Sequence, residues 1–133
     1  MKQTTSMLDW TVEHELQCSR RYRRFLTVVG AECLDTDTKL KELLGEILRG
    51  SDEIIELNSK GVTVVMAETD RQGALRAIER YHDRFNGAFD IRFGVATFPV
   101  DACDRETLMA RARSRLLKAK KGQPCTVVFE DEP

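Results

Sequence analysis

The sequence predicts an α/β (α+β) fold in which helices pack around a central, mostly antiparallel sheet of five strands. Segments with apolar residues three and four positions apart alternate with short segments rich in β-branched and aromatic residues, as helices alternate with buried strands. The length of 133 residues suits one compact domain. Hydrophobic residues make up 41% of the chain, which is enough to fill a core and excludes a disordered tail.

The chain begins with a helix and a strand. We expect a helix from about residue 7 to 22, because Leu8, Val12 and Leu16 fall on one of its faces. Residues 25–31, FLTVVGA, form a short segment of β-branched and aromatic side chains. This composition indicates a buried strand.

A second helix and a β-hairpin follow. Apolar side chains recur at helical spacing from Leu40 to Leu48, behind the potential capping residues 35–37. The apolar segments 53–57 and 62–68 flank a tight turn over residues 58–61. Two apolar segments joined by such a turn are typical of a hairpin.

The last four elements are a helix, a strand, a helix and a strand. Thr69, with Gln72 three residues later, has the pattern of a capping box that begins a helix. Residues 91–96 alternate as a strand, Asp104 caps the final helix, and residues 124–130 form the final strand.

This element order contains β-α-β-β-α-β, the split crossover of ferredoxin-like palm folds. We therefore expect a single domain over residues 1–133. Its amino-terminal helix would occupy residues 1–24 and its palm core residues 25–133.

Composition narrows the classes of function. The net charge of −1 argues against a nucleic-acid binder, and we expect the basic run 111–121 to be a solvated helix face. No apolar run approaches the roughly 20 residues of a membrane span. The four cysteines lack the spacing of a zinc site, so we expect buried thiols and a cytoplasmic location.

Several stretches, taken in order and spacing, resemble the GGDEF family, the diguanylate cyclase domain. They are HELQCSRRYRR (14–24), LRGSDEII (48–55), AETDRQGALRAIER (67–80) and FGVATFPVDACDRETLMARARSRLLKAKKG (93–122). The resemblance implies a palm in which two molecules each present one GTP and together form cyclic di-GMP. It also implies that the hairpin turn carries glycines that admit phosphates and a carboxylate that holds magnesium.

The hairpin turn departs from that signature at every position. The five signature positions are occupied by Asn58, Ser59, Lys60, Gly61 and Val62. Lys60 stands where the resemblance places a metal-binding carboxylate, and its positive charge would repel a cation. We therefore expect no catalytic residue, no metal and no cofactor.

The segment after the first strand departs as well. The resemblance implies a metal-binding aspartate and a nucleotide-binding loop and helix there, but this chain passes almost directly into its next helix. Glu32 lies nearest the position of that aspartate, and it either pairs with Lys60 or faces water. Lys120 lies nearest a phosphate-contacting lysine of the family, and the alternative is a solvated side chain.

One family site has its residues in this sequence. The resemblance implies that an RxxD motif before the turn binds the product, cyclic di-GMP, and RGSD supplies Arg49 and Asp52 at the family's spacing from Asn58. A guanidinium can clamp phosphate and a carboxylate can accept from a guanine edge. Arg76 and Arg80 are candidates to complete the site. The alternative is structural, with Arg49 and Asp52 capping a helix and pairing with each other.

The sequence hypothesis is therefore a catalytically inactive, regulatory GGDEF-like domain. Its first candidate partner is cyclic di-GMP, and its second, as an interaction module, is a protein of a signalling pathway. A homodimer through the amino-terminal helix or the vacated nucleotide face is a further alternative, and residual cyclase activity is the most remote one.

Overall fold

The computed structural model describes residues 2–34, 39–58 and 60–131. Within these residues, helices and strands alternate in the order that the sequence predicts. The elements are α1 (Lys2–Tyr22), β1 (Leu26–Cys33), α2 (Leu40–Gly45), β2 (Asp52–Glu56), β3 (Gly61–Ala67), α3 (Arg71–Phe85), β4 (Ile91–Phe98), α4 (Arg105–Lys120) and β5 (Val127–Val128).

The sheet has five strands in the order β2-β3-β1-β4-β5. Strand β1 lies between β3 and β4 and runs antiparallel to both, so that Leu26 is opposite Ala67 on one side and Phe98 on the other. Strands β2 and β3 form the antiparallel hairpin, and β5 is parallel to β4. This arrangement confirms the predicted ferredoxin-like palm with a mostly antiparallel sheet.

Helices cover both faces of the sheet, and each face has its own apolar core. Val28 belongs to the core beneath α1 and α4, whereas the next residue, Val29, belongs to the core beneath α2 and α3. Successive strand side chains point to opposite faces, so a strand covered on both sides is continuously apolar. That is why successive residues of β1, such as Val28 and Val29, are both apolar in the sequence.

The helix caps agree with the prediction at one helix and differ at another. The Asp104 side chain accepts a hydrogen bond from the Thr107 amide at the start of α4, as predicted. At α3 the predicted cap, Thr69, is wrong, because the Asp70 side chain accepts from the Gly73 amide instead. Thr69 is buried and its hydroxyl donates to the Ala67 carbonyl.

Two elements are shorter than their apolar patterns predicted. Helix α2 ends at Gly45, and the apolar residues after it form a turn in which the amides of Ile47 and Leu48 both donate to the Leu44 carbonyl. Strand β5 contains only Val127 and Val128 within the described part of the chain. Both apolar segments are partly buried by packing against neighbouring elements, so their apolar pattern does not require a longer helix or strand.

Helix α4 lies directly on the backbone of β4. A Cβ on Gly94 would lie 2.2 Å from the Leu116 nitrogen and 2.4 Å from the Ala112 carbonyl oxygen, so only glycine permits this approach. The expectation of a solvated basic face on α4 is wrong at Arg115. Its side chain is 3% exposed and donates to the Val95 carbonyl and to Asp101.

Two further expectations concern the burial of the cysteine thiols and the presence of a helix that could span a membrane. All four cysteines are thiols, but the expected burial holds fully at Cys33 and not at Cys103, which is exposed. In the part of the chain that the structure describes, no helix is both long and apolar enough to cross a bilayer.

Candidate functional site

The turn between β2 and β3 is held together by hydrogen bonds among its own residues. The Asn58 side-chain oxygen accepts from the Lys60 amide at 2.9 Å, and the Gly61 amide donates to the Asn58 carbonyl at 3.3 Å. Ser59, the second predicted signature position, lies outside the described residues. A phosphate-binding turn needs amides that point outwards and are free to donate. Here the Lys60 amide is already bonded within the turn.

The predicted ion pair between Glu32 and Lys60 is replaced by a different one. Lys60 does lie beside the end of β1, since its carbonyl accepts from the Cys33 amide at 2.9 Å. However, the Glu32 carboxylate lies 2.8 Å from the ammonium of Lys120, at the end of α4. The carboxylate nearest the implied metal position is therefore neutralised by a lysine side chain. This pair also corrects the picture of Lys120 as a solvated lysine.

A small cavity lies behind the turn. It has a volume of about 100 Å³ and is lined by Glu32, Asn58 and Gly61 together with apolar side chains of α1, α4 and the sheet. Pockets that hold small organic ligands have volumes of about 300–1,000 Å³. Among the described residues, no group of three or more His, Cys, Asp or Glu side chains is arranged to hold a metal ion.

The RxxD residues lie at the other end of the same hairpin. Asp52 opens β2, and its side chain is 1% exposed, whereas the Arg49 side chain is 53% exposed. The Arg49 Nε lies 3.8 Å from the Asp52 carboxylate, and its Nη2 donates to the Thr69 hydroxyl at 3.0 Å. The structure thus brings the two predicted residues together and adds Thr69 as a support for the arginine.

The Asp52 carboxylate and the Tyr81 hydroxyl are buried groups without hydrogen-bond partners in the described structure. Burial raises the pKa of Asp52 above its ordinary value, and the charges of Arg49 and Arg80 oppose that rise. Burial, with the charge of Asp52 in second place, raises the pKa of Tyr81 to about 12. The site is therefore a buried acid that is paired with Arg49 at 3.8 Å and has no hydrogen-bond partner among the described residues.

Sequence reasoning found part of this second site and missed the rest. Arg80, named as a candidate, contributes positive charge at Asp52. Tyr81 and Thr69 were missed, because Tyr81 resembles an ordinary core residue and Thr69 resembles a helix cap. Only the pairing of β2 with β3 and the packing of α3 bring them near Asp52.

The two sites are separated by the length of the hairpin. Asp52 begins β2 and Asn58 lies two residues beyond its end, and six residue steps of extended chain span about 20 Å. A ligand at Arg49 would therefore not contact the turn. Substitutions at one site can serve as controls for the other.

No protein-family model and no curated protein sequence matches the chain. Solved structures with the same fold include several GGDEF domains. The GGDEF domain of TpbB (YfiN) from Pseudomonas aeruginosa is 15% identical with a TM-score of 0.84, covering 95% of this chain and 88% of that one. The active GGEEF domain of a diguanylate cyclase from Vibrio cholerae is 14% identical with a TM-score of 0.83, covering 96% and 97%.

A third structure of this fold contains a ligand. The GGDEF domain of DgcB from Caulobacter crescentus, in complex with cyclic di-GMP, is 10% identical with a TM-score of 0.74, covering 92% of this chain and 87% of that one. At these identities the likeness is one of fold. The chain has the fold of a GGDEF domain, in agreement with the resemblance that its sequence showed.

Proposed function

We propose that this chain is a catalytically inactive GGDEF-like domain of the cytoplasm that binds cyclic di-GMP through Arg49 and Asp52 and acts as a regulatory receptor. Residues 1–133 would form this domain as one unit. The observation that carries the proposal is the buried Asp52 carboxylate, which lacks hydrogen bonds and lies against a half-exposed arginine.

The unused bonding capacity of Asp52 supports a ligand with hydrogen-bond donors. A buried polar group without a partner costs about 1–3 kcal/mol, and a donor from a ligand would recover that cost. The Watson–Crick edge of guanine carries adjacent N–H donors, which suit a carboxylate. To reach Asp52 the guanine would displace the Arg49 side chain, which is exposed enough to move.

The arginines suit the remaining parts of such a ligand. A guanidinium presents parallel N–H donors to a phosphate or to the acceptor edge of guanine, and it stacks on flat rings. Arg49 and Arg80 supply two of these groups beside one carboxylate. Cyclic di-GMP has two guanines and two phosphates, so it can satisfy the arginines and the carboxylate together.

Three observations at the turn support the loss of cyclase activity. Lys60 replaces the implied carboxylate, and the Asn58 side chain accepts the hydrogen bond of the Lys60 amide, which a phosphate would otherwise use. Glu32 is paired with Lys120. Divalent ions in phosphoryl transfer need clustered oxygen ligands, so these replacements remove the ion as well as the phosphate cradle. The cavity behind the turn, at about 100 Å³, is too small for a nucleotide.

The test is calorimetric titration of the purified chain with cyclic di-GMP. We expect saturable binding, weakened about tenfold to a hundredfold by Arg49→Ala, since a charged hydrogen-bonding group is lost. Lys60→Ala, on the same hairpin, is the matched control and leaves the affinity unchanged. A folded sample that gives no heat at micromolar concentrations would refute the receptor.

A second candidate function is a nucleotide-independent protein-interaction module. The observation that favours it is the exposure of large apolar side chains: Trp10 is 66% exposed, Tyr22 57% and Phe25 43%. Exposed aromatic residues are enriched at protein interfaces. Capture of one partner that is lost on substituting these residues, and unchanged by cyclic di-GMP, would favour this function over the receptor. A homodimer, detectable as a doubled mass in solution, belongs to the same class.

A further inference from the structure

We infer that the cleft between the carboxyl end of α1 and the Phe98-Pro99 segment is a docking site for an acidic peptide segment of a partner protein, anchored by one apolar side chain. This inference goes beyond cyclic di-GMP binding and does not depend on it. The cleft has a volume of about 360 Å³. Its lining residues are Ser19, Arg20, Arg23, Arg24, Phe25, Phe98 and Pro99.

The rim of the cleft is positively charged and accessible. The side chains of Arg20 and Arg24 are 45% and 52% exposed, and Arg23 is exposed as well. Within the residues that the structure describes, Arg23 forms no ion pair. The partner of Arg24 is Glu68, whose side chain is 56% exposed, and such surface pairs exchange readily. Arg20 donates to the Cys103 carbonyl and lies 3.9 Å from Glu13, so Arg23 and Arg24 are the guanidinium groups that an incoming carboxylate would find available at little cost.

The floor of the cleft is aromatic. Phe25 is 43% exposed and Phe98 is 8% exposed, and the Arg20 guanidinium lies over the Phe98 ring at 5.9 Å from its centroid. Tyr22 and Val100, which lie near these residues along the chain, are 57% and 61% exposed. An apolar patch rimmed by arginines has the composition that protein interfaces favour, and a buried anchor at its centre would form the energetic core.

The charge and the lining of the cleft favour a peptide over a nucleotide. The arginines complement carboxylates, and the exposed ring area complements an apolar side chain. A base would need side chains that read its hydrogen-bonding edge, but the lining contains no carboxylate or amide side chain, and Ser19 is buried. The cleft therefore selects for negative charge and apolar area.

The first experiment pans a library of random 12-residue peptides displayed on phage against the immobilised full chain. We expect the selected peptides to be enriched in Asp and Glu around one Phe, Leu or Trp. A selected peptide, synthesised with a fluorophore, would then bind in an anisotropy titration, and its affinity would fall as salt is added. Selection of no peptide, or of peptides without acidic enrichment, would overturn the inference.

Substitutions in the cleft test whether the selected peptide binds there. Arg23→Glu and Phe25→Ser should each weaken the peptide by about tenfold or more, since one reverses a rim charge and the other removes the apolar floor. Arg113→Glu, an exposed charge reversal on α4, is the matched control and should leave the affinity within about twofold. Equal effects of Arg23→Glu and Arg113→Glu would show non-specific attraction and overturn the site.

Two competitors separate this site from the proposed receptor site. Added cyclic di-GMP or GTP should not displace the peptide, and Arg49→Ala should not weaken it. Displacement by either nucleotide would show that the cleft binds nucleotides and would overturn the peptide as its occupant. If cyclic di-GMP does not bind while Arg23→Glu still weakens the peptide, the peptide site is supported independently of the receptor proposal.

Discussion

At the residue scale, the unusual feature is a pair of buried polar groups, the Asp52 carboxylate, which is paired with Arg49 at 3.8 Å, and the Tyr81 hydroxyl, neither of which has a hydrogen-bond partner in the described chain. Asp52 is the first residue of β2, Tyr81 lies on α3, and the charge of Asp52 acts on the Tyr81 hydroxyl. Most buried polar groups in folded proteins are hydrogen-bonded, so each exception calls for an explanation. The proposed ligand explains Asp52. The Tyr81 ring contributes apolar area to the core, where it packs beside Phe93.

Tyr81→Phe should keep or raise stability at neutral pH, by up to about 1 kcal/mol, because it deletes a buried hydroxyl that has no partner. The pKa of Tyr81 is raised from its ordinary value of 10.0 to about 12. The stability associated with this shift is present below pH 10.0 and is lost as the pH rises towards about 12. Urea denaturation at neutral and alkaline pH should therefore show a smaller alkaline loss in Tyr81→Phe than in the wild type.

Tyr22→Phe is the control for this comparison, since Tyr22 is 57% exposed and should change neither value. A drop of more than about 1 kcal/mol at neutral pH in Tyr81→Phe would show that the hydroxyl is hydrogen-bonded after all. That outcome would also count against a ligand at Asp52, since the carboxylate and the hydroxyl are electrostatically linked and could then satisfy each other.

At the element scale, helix α4 is fixed to the sheet by a close approach at one point and by ion pairs at another. Gly94 lets the helix backbone contact β4, and Arg115 crosses from the helix to Asp101 and to Asp131 of the carboxyl-terminal segment. The contact at Gly94 is steric and independent of pH. The pairs of Arg115 depend on ionised carboxylates, so the two can be tested separately.

Gly94→Ala should destabilise the protein severely, by several kcal/mol, because the added Cβ would lie 2.2 Å from a backbone atom of α4. Gly45→Ala is the matched control, since a Cβ there meets nothing within 4 Å. Its expected effect is within about 1 kcal/mol of the wild type. Thermal unfolding followed by circular dichroism measures both, and equal midpoints for the two variants would contradict the close approach.

Asp101→Asn tests the ion pairs of α4. Burial favours the neutral acid, but hydrogen bonds from Arg115 and from the Thr97 amide hold the pKa of Asp101 below 3.8 overall. Its contribution to stability is therefore present above pH 3.8 and is lost as the pH falls through the lowered folded-state pKa. The variant should be less stable than the wild type at neutral pH, with a shallower loss of stability in acid.

Unfolding midpoints measured from neutral pH down to about pH 2 would show this difference in slope. Asp83→Asn, at an exposed position on α3, should follow the wild-type curve throughout. Parallel curves for Asp101→Asn and the wild type would mean that the pairs of Asp101 with Arg115 and Arg71 contribute nothing to acid stability.

At the scale of the whole molecule, the order of the elements could be predicted because each depends on local patterns. The amphipathic period of α1, the β-branched run of β1 and the Asp104 cap are all visible within a few residues. The partners of charged side chains could not be predicted in this way. Glu32 pairs with Lys120, 88 positions later, and Arg115 is buried against Asp101, because α4 folds back over β1 and β4.

In the candidate sites, too, the contacts between neighbours in sequence could be predicted and the contacts between distant residues could not. Arg49 and Asp52 are three residues apart, so their contact could be expected from spacing alone. The supporting Thr69 and Tyr81 lie on other elements and carry no local signal of their role. The ends of α2 and β5 were overestimated, since apolar residues in a packed turn have the same composition as those in a helix or strand.

Replacing residues 58–62 with the sequence GGDEF tests whether the proposed loss of cyclase activity resides in the turn alone. We expect no cyclic di-GMP from GTP and magnesium, in this variant or in the wild type, by chromatography of the reaction mixture. The turn would regain its carboxylates, but Glu32 would still be paired with Lys120. Phosphoryl transfer depends on the position of the nucleotide as much as on the metal, and the chain lacks the segment implied to hold guanine.

The receptor site provides the internal control for this variant. Because Asp52 lies about 20 Å along the hairpin from the turn, binding of cyclic di-GMP should be unchanged if the variant is folded. Product formation by the variant, and not by the wild type, would show that the turn alone was responsible and that the palm still accepts GTP. Product formation by the wild type would overturn the proposed inactivity itself. Neither result is expected, because the fold of a GGDEF domain supplies the sheet on which the chemistry is built and not the groups that perform it.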